Sequence, residues 1–391
     1  MNPGAKQIGS FLAHALAVLM VSMTMPSCTA TDVTQGAPAA RARLALEQLV
    51  SSGEVPGIQY VVVGPKGVLF SATAGVSDVG SATPMNEATI LMAYSTTKVI
   101  TAIAVMQLVE QGRIKLDAPL QKYFKRHPYG DDVTIRQLLA HTSGVPDPMP
   151  LDWFVVQGQS FDRDREIQRI LGKHPRLRHA PGQKYGYSNL GYWLLEKVIE
   201  STSGQDYAAY VDDHVFRPLG LTAASARFAI DGPGALAVGY ARRFSPLTWM
   251  LRLMTPARYW GDARGPWSSS SRVLPYGRAY GGLFVTAQAP GRVLADLLRS
   301  DSVLLRAETK AKLFARQHTT NGQPAGALGW VIGKLAGQSY FGKQGGGLGF
   351  HGNVRIYPSR GIATVLLANR TEISAGPIDR RTDALDILFL R

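Results

Sequence analysis

The sequence lacks several features on which common classes of protein depend. One cysteine, Cys28, occurs among 391 residues, so no intramolecular disulfide can form. No G-x-S-x-G or H-E-x-x-H motif occurs, which argues against an α/β-type Ser-His-Asp hydrolase and against a zinc peptidase. His141 and His351 are therefore interpreted as structural residues, and no metal ion is expected.

Charged residues are also scarce, at 18% of the chain, and positive charge dominates, with a formal net charge of +14. Such a charge is compatible with nucleic-acid binding. The Lys and Arg residues are dispersed, however, and form no run interleaved with aromatic residues, so no nucleic-acid groove is expected. Anionic lipid headgroups or acidic cell-wall polymers are the partners that this charge favours. A basic surface without a specific partner is the alternative.

The N-terminal residues are typical of an export signal. An apolar run over residues 11–25 follows an early cation and is short for a membrane span. Cys28 follows a small residue, which resembles a bacterial lipobox, although the preceding Met-Pro-Ser matches only in part. We predict a signal peptide over 1–28, with Cys28 as a lipidation candidate and plain cleavage as the alternative. A linker is predicted over 29–40. The signal peptide predicts an exported protein that is periplasmic or membrane-anchored.

The hydrophobic pattern predicts strands near both ends of the chain and helices between them. Predicted strands cover residues 58–63, 67–72, 282–286, 328–334, 339–343, 352–357 and 362–369. Predicted helices cover 40–51, 134–140, 163–171, 190–200, 206–216 and 379–390, with a further buried helix that begins at Ser95. A sheet built from both chain ends predicts an α+β fold over residues 41–391, with a mainly helical inserted lobe at roughly 95–275.

Ser95 and Lys98 form the first candidate catalytic motif. Three residues along a helix place both side chains on one face, and the positive end of the helix dipole favours negative charge that develops at Ser95. The alternative is that Ser95 only caps the helix and that Lys98 extends to solvent.

Two further segments follow in the order that one known family uses. They are Tyr187-Ser188-Asn189, before a predicted helix, and Lys343-Gln344-Gly345, at the end of a predicted strand. With Ser95-Thr96-Thr97-Lys98, they resemble the serine β-lactamase and penicillin-binding family, in the branch of class C β-lactamases, D-alanyl-D-alanine carboxypeptidases and related esterases. The resemblance covers nearly the whole mature chain and includes segments 138–144, 216–221 and 367–369. It implies an antiparallel sheet flanked by helices.

A serine hydroxyl is a poor nucleophile until a base removes its proton, and two residues are candidates for that base. Tyr187 could act as a phenolate if nearby cations lowered its pKa. Alternatively, burial beside a second cation could lower the pKa of Lys98, with Tyr187 as a proton shuttle. The sequence leaves both alternatives open.

The resemblance also implies the remaining roles in the site. Substrate contacts fall to Asn189, Lys343, Gln344 and Gly345, and the oxyanion hole to the backbone N–H groups of Ser95 and Gly346. Gln344 departs from the Thr or Ser that usually binds a substrate carboxylate in β-lactamases. That departure disfavours penicillins and favours esters or amides without this anchor, whereas the retained Lys343 favours a carboxylate.

The predicted function is that of an exported serine hydrolase that needs no cofactor and forms an acyl-enzyme on Ser95. Its substrate would be an acyl ester, a D-amino-acid peptide of the cell wall or a β-lactam. The alternative is a penicillin-binding-like sensor or scaffold that acylates without turnover or has lost catalysis. Retention of all three motifs argues against such a loss.

Residues 247–260 combine aromatic and apolar side chains with arginine. This mixture suits the headgroup boundary of a membrane, where a lipid on Cys28 would be a second anchor. The alternative is that the segment forms a lid or side wall of the active-site cleft.

Overall fold

The computed structural model of the chain describes residues 38–148, 153–372 and 377–391. Residues 38–391 form one compact unit. The first helix begins at Pro38, inside the predicted linker. The predicted signal peptide and Cys28 lie outside the described residues.

Strands lie mainly at the two ends of this unit. They are β1 (Gly57–Gly64), β2 (Gly67–Asp78), β3 (Thr83–Pro84), β4 (Leu91–Met92), β5 (Phe154–Val156), β6 (Ala226–Arg227), β7 (Tyr240–Arg242), β8 (Trp260–Arg264), β9 (Trp267–Ser270), β10 (Val273–Pro275), β11 (Phe284–Val285), β12 (Val331–Leu335), β13 (Gln338–Gly347), β14 (Phe350–Tyr357) and β15 (Ile362–Ala368). Most of the helices lie in the part of the sequence between β4 and β12. They are α1 (Pro38–Ser51), α2 (Thr97–Glu110), α3 (Ile135–Leu139), α4 (Arg163–Lys173), α5 (Asn189–Ser203), α6 (Tyr207–Val211), α7 (Pro246–Met254), α8 (Gln288–Leu298), α9 (Ala307–Phe314) and α10 (Pro377–Leu390).

The main sheet joins strands from both chain ends. Within the described ranges it has seven antiparallel strands in the order β12-β13-β14-β15-β1-β2-β3. The central pair β1 and β15 aligns Val61 with Val365. These strands are rich in β-branched residues, which pack well on a pleated surface. The predicted α+β class with an antiparallel sheet and flanking helices is confirmed.

Alternate residues of the central strands are buried against different helices, because successive side chains point to opposite faces of a sheet. Tyr60 and Val62 of β1 pack in a core with residues of α1 and α10. Val61 and Val63 pack in a larger core with residues of α2 and α8. The sheet is therefore covered on both faces, and α2 carries the predicted nucleophile segment along one of them.

The structure differs from the prediction in three respects. The strand predicted over 282–286 is shorter in the structure, because only the two residues of β11 pair with neighbouring strands. These neighbours are β4 and β6, and the three strands form a separate small sheet. Helices α8 and α9 were not predicted; Pro290 and Gly291 in the first turn of α8 weaken its helical signal. The predicted lobe at 95–275 contains helices α2 to α7, but also the short strands β5 to β10.

Candidate active site

Ser95 lies in a strained turn directly before α2. The 3₁₀ turn Tyr94–Thr96 runs into the helix, so Ser95 precedes the helix rather than occupying its first α-helical turn. Tyr94 has φ of +44°, a left-handed conformation that costs a non-glycine residue about 1–3 kcal/mol. Its hydroxyl donates to the Leu348 carbonyl at 2.7 Å, which helps to hold the turn. The turn presents the Ser95 side chain to a cleft.

Lys98 is completely buried beneath Ser95. Its Nζ lies 3.1 Å from Ser95 Oγ, 2.8 Å from Asn189 Oδ1 and 2.7 Å from the Tyr280 carbonyl oxygen. The alternative in which this side chain extends to solvent is therefore wrong. Every residue of α2 from Thr97 to Leu108 is buried, which leaves the lysine no route to water.

When Lys98 is neutral, these contacts orient its lone pair. The amide oxygen of Asn189 and the carbonyl of Tyr280 can only accept hydrogen bonds. A neutral amine has two hydrogens, and both are used by these two acceptors. Its lone pair then faces Ser95 Oγ, whose hydroxyl can donate to it. The geometry therefore suits Lys98 as the acceptor of the Ser95 proton.

Tyr187 completes the arrangement, with its hydroxyl 2.8 Å from Ser95 Oγ. It is positioned by the start of α5, where Ser188 Oγ caps the helix by accepting from the Gly191 N–H at 2.9 Å. His141 packs against the Tyr187 ring with centroids 4.5 Å apart, and its Nδ1 accepts from the Ser188 N–H. His141 itself has φ of +57°, a second strained residue at this site. These contacts of His141 help to position Tyr187, which agrees with the interpretation of His141 as a structural residue.

Burial moves the pKa values of the two candidate bases in opposite senses. Burial, together with the positive charge of Lys343, lowers the pKa of Lys98 well below its usual value. Burial raises the pKa of Tyr187 above its usual value, although its hydrogen bond with Ser95 opposes the change. The electrostatics thus favour a neutral Lys98 amine and a protonated Tyr187 phenol over the phenolate alternative.

Asp147 is a site residue that the sequence reasoning missed. Its Oδ1 accepts from the Asn189 backbone N–H at 2.9 Å, and its Oδ2 lies 3.5 Å from Asn189 Nδ2. Its negative charge also raises the pKa of Lys98, opposing burial and Lys343. The signal was weak, because Asp147 stands in a proline-rich stretch with no motif of its own.

The carbonyl of Tyr280, which accepts from Lys98, is held by a second element that sequence reasoning missed. The neighbouring Ala279 N–H donates to the buried Glu196 at 2.9 Å. Arg278 forms ion pairs with Glu196, Glu200 and Asp206 at 3.4, 3.1 and 2.7 Å. A buried guanidinium satisfied by several carboxylates anchors this loop beneath the site.

Strand β13 brings the third motif alongside Ser95. Lys343 is 5% exposed, and its Nζ lies 5.0 Å from the centre of the Tyr187 ring. Burial lowers the pKa of Lys343 to about 8. Strand alternation points Gln344 to the other face of the sheet from Lys343, and Gln344 does not line the cleft. The predicted substrate contacts of both residues stay predictions.

The glycines of β13 allow the strand to approach the nucleophile turn. A methyl group on Gly345 would lie 2.3 Å from the Ala93 carbonyl oxygen and 2.8 Å from the Ser95 nitrogen. Only glycine fits such a contact. Gly346 follows and lines the cleft together with Ser95. The two residues predicted to form the oxyanion hole thus border the same space.

The cleft above Ser95 has a volume of about 190 Å³. Its described lining is Tyr94, Ser95, Phe154, Asn189, Leu251, Thr255, Tyr259, Val273, Tyr280, Gly281, Gly346, Gly347, Leu348 and Thr371. None of these described residues carries a charge. Leu251, Thr255 and Tyr259 belong to segment 247–260, so this segment forms a side wall of the cleft.

A buried polar cluster lies behind Gly346 and is a candidate for metal binding among the described residues. The ligating atoms of His351, Glu372 and Asp379 lie within 4.8 Å of one another. Asp379 Oδ1, however, already lies 3.1 Å from both His351 Nε2 and Asn353 Nδ2. These contacts suit an internal hydrogen-bond network, and the absence of a metal stays a prediction.

A serine between a buried lysine and a tyrosine, at the edge of a covered antiparallel sheet, defines the class of β-lactamase-fold serine hydrolases. The chain belongs to the beta-lactamase family, whose family model matches residues 42–388. The resemblance derived from the three motifs is thereby confirmed.

The similar proteins include hydrolases and a protein without a named activity. Esterase EstB of Burkholderia gladioli is 29% identical over 367 residues, which cover 80% of this chain and 89% of EstB. Protein flp of Staphylococcus aureus strain MW2 is 31% identical over 180 residues, which cover 44% of this chain. The chain spans about a third of that protein's length, 35%. The D-amino acid amidase of Ochrobactrum anthropi SV3 superposes with a TM-score of 0.77 at 20% identity, over 90% of this chain and 99% of the amidase. At that identity the amidase supports the fold alone.

Proposed function

We propose that the protein hydrolyses carboxylic esters with an apolar acyl group through an acyl-enzyme on Ser95. The observation that carries this proposal is the hydrogen-bonded chain from Tyr187 through Ser95 to Lys98 at the floor of an uncharged, largely apolar cleft. Similarity to Esterase EstB over most of both chains supports the ester preference.

Acylation follows from this geometry. Ser95 Oγ attacks the ester carbonyl carbon as its proton passes to the neutral Nζ of Lys98. The N–H groups of Ser95 and Gly346 stabilise the oxyanion of the tetrahedral intermediate. When the intermediate collapses, the leaving alkoxide takes the proton of the Tyr187 hydroxyl, and the Lys98 ammonium restores that proton. The products are an alcohol and an acyl ester of Ser95.

Deacylation uses the same groups in reverse. Lys98, neutral again, takes a proton from a water molecule through Tyr187 as the water oxygen attacks the acyl carbon. The second tetrahedral intermediate expels Ser95 Oγ, which regains its proton from the lysine. A carboxylic acid leaves, and the free enzyme is restored.

The uncharged cleft also bears on the choice of substrate. A penicillin or a D-alanyl peptide carries a carboxylate that needs a positive partner, whereas Lys343 is buried, with its Nζ 5.0 Å from the centre of the Tyr187 ring. Removing a carboxylate from water without a partner is costly. We therefore expect faster turnover of p-nitrophenyl esters than of a chromogenic cephalosporin.

The test is covalent labelling with a fluorophosphonate, read by mass spectrometry, alongside steady-state hydrolysis of p-nitrophenyl butyrate. The proposal expects one label on Ser95 and loss of both label and turnover in Ser95→Ala. Ser81→Ala, at an exposed turn serine, is the matched control and should behave as the unaltered protein. Turnover that survives in Ser95→Ala would refute the proposal. A labelled protein with an initial burst but no steady-state turnover would instead support the sensor or scaffold alternative.

We also propose that the protein is exported, on the evidence of its N-terminal composition. Expression in a bacterium should yield a mature chain that begins at or near Cys28. Intact mass then separates a lipidated cysteine from a plain cleavage product. A chain that keeps residues 1–28 in the cytoplasm would contradict export.

A further inference from the structure

Helix α7 has two faces with different surroundings. Leu251 of this helix and Thr255, directly after its end, line the active-site cleft, and Thr248 is buried on the same side. The opposite side carries large apolar side chains with high exposure: Trp249 at 63%, Met250 at 46%, Leu253 at 89% and Met254 at 45%. At 3.6 residues per turn, these four positions span about 140° of the helix surface.

These four residues and Phe244, which is 71% exposed in the preceding turn, are called the outer patch. Single exposed apolar residues are common on protein surfaces, but a contiguous group marks an interaction site. Leu253 in particular extends clear of the protein surface. The outer patch therefore suits a soft surface into which side chains can insert.

Arginines are frequent in the segment that carries the outer patch. Residues 242–264 contain five arginines and one aspartate, and Asp262 pairs with Arg264 at 3.1 Å. Among the described carboxylates, none forms an ion pair with the other four, which are Arg242, Arg243, Arg252 and Arg258. Arg243 lies 5.2 Å from the centre of the Phe244 ring, and Arg252 lies 4.6 Å from that of Trp260. Unneutralised positive charge is thus held beside exposed apolar groups.

We propose that the outer patch docks on an anionic phospholipid surface. The apolar side chains would insert at the boundary between headgroups and acyl chains, while the arginines contact phosphate groups. A second copy of the chain is a poorer partner, because joining two outer patches would bring their arginines together. Among the described residues, no helix has the length and apolarity to span a bilayer, so the contact proposed is peripheral.

Docking would place the cleft beside the membrane. The same helix that contacts lipid on one side forms the cleft wall on the other, so a membrane-dissolved ester has a short path to Ser95. This consequence for turnover rests on the proposed ester hydrolysis. Binding to the lipid surface does not.

The experiment measures partition of the full chain onto vesicles of mixed phosphatidylglycerol and phosphatidylcholine, and onto phosphatidylcholine alone. All proteins carry Ser95→Ala, so a failure of hydrolysis cannot affect the binding result. We expect stronger partition onto the anionic vesicles, weakened by added salt. Trp249 fluorescence should be quenched by brominated acyl chains, and the quenching should fall in Trp249→Phe.

One double variant and two single variants locate the contact. Trp249→Ser with Leu253→Ser should weaken partition by about tenfold or more, because it removes the inserted apolar surface. Arg243→Gln and Arg252→Gln should each weaken it by about fivefold on anionic vesicles. The matched controls are Leu69→Ser with Val303→Ser, which are exposed apolar residues elsewhere, and Arg316→Gln. Since every protein keeps the same N-terminal segment, differences among them report the outer patch.

Equal partition onto both vesicle types, or partition unaffected by the outer-patch variants, would overturn the proposal. So would concentration-dependent dimerisation that the outer-patch variants abolish, because a second copy would then be the occupant. Binding to an acidic protein or polymer without binding to vesicles would overturn it as well. Hydrolysis of a soluble ester, measured with Ser95 intact, reports separately on the proposed function.

Discussion

The floor and the wall of the cleft are built on opposite principles. On the floor, Ser95, Lys98 and Tyr187 are fixed by short hydrogen bonds to one another and to buried neighbours. The wall at α7 contributes a few apolar contacts inward and leaves much of its outer surface exposed. Chemistry needs fixed distances and controlled charge, whereas recognition of an acyl chain needs only shape and apolarity. We therefore expect floor substitutions to abolish activity and wall substitutions to change preference.

The largest effect is expected for Lys98→Met, which removes the proposed base and keeps a side chain of similar length. General-base catalysis is worth about 10²–10⁴-fold, so kcat for p-nitrophenyl butyrate should fall by about 10³-fold. Thermal unfolding should occur at an equal or higher temperature, because a buried polar amine has been replaced by an apolar group. The exposed Lys66→Met is the control. A variant of Lys98 with more than a tenth of normal kcat would show that another group is the base.

Gly345→Ala tests how closely the floor is packed. The added methyl group would meet the backbone of Ala93 and Ser95, which cannot move aside as a flexible side chain can. Overpacking of this kind costs about 1–3 kcal/mol, and displacement of the nucleophile turn should lower kcat as well. Gly172→Ala, in helix α4 with nothing within 4 Å, should leave kcat unchanged and stabilise the protein by at most about 1 kcal/mol. Urea unfolding and kcat distinguish the two. Similar stabilities for both variants would contradict the close contact.

Two charge changes on the floor should move the pH profile in opposite directions. The proposed mechanism needs neutral Lys98, so we expect kcat/KM to rise with pH through the pKa of this residue. Lys343→Met removes a positive neighbour, raises the pKa of Lys98 and moves the rise to higher pH. Asp147→Asn removes a negative neighbour, lowers that pKa and moves the rise to lower pH.

The exposed Asp301→Asn is the control for this pair and should leave the profile in place. The readout is kcat/KM for a neutral ester between mildly acidic and alkaline pH. Shifts in the same direction for Lys343→Met and Asp147→Asn would mean that Lys98 does not control the profile.

The smallest effect is expected at the wall. Leu251→Ala shortens a side chain that lines the cleft, so longer acyl chains lose contact. A buried methylene is worth about 0.8 kcal/mol, so the preference gained per added methylene should fall by up to about fourfold. The measurement is kcat/KM across p-nitrophenyl acetate, butyrate and hexanoate. Leu253→Ala, on the outer face of the same helix, is the control, and an equal change in both variants would remove the distinction between the two faces.

The strongly patterned elements were predictable from the sequence. Strand β1 is a continuous β-branched and aromatic run, and α2 is apolar all round, so both are buried whatever surrounds them. Helix α8 was missed because Pro290 and Gly291 weaken its helical signal, and α9 was missed because it has only eight residues. The sequence also predicted that Ser95 and Lys98 lie close together, since side chains three residues apart in a helix share a face.

The residues that contact Ser95 and Lys98 could be predicted only in part. Tyr187 and Lys343 could be found because each sits in a short motif that the family shares. Asp147 and the Tyr280 carbonyl could not, because a single carboxylate and a backbone oxygen carry no pattern along the chain. Both act on Lys98 from segments far away in sequence.

By itself, the sequence determined the fold class, the family and the order of the three motifs, because hydrophobic period and residue spacing are local properties of the chain. Only the tertiary structure favours Lys98 over Tyr187 as the proposed base, because a pKa depends on burial and on charges brought together by folding. It also decided that α7 presents one face to the cleft and another to the surroundings. Hydrophobicity marks a residue as a contact residue, but the packing of the other elements determines what it contacts.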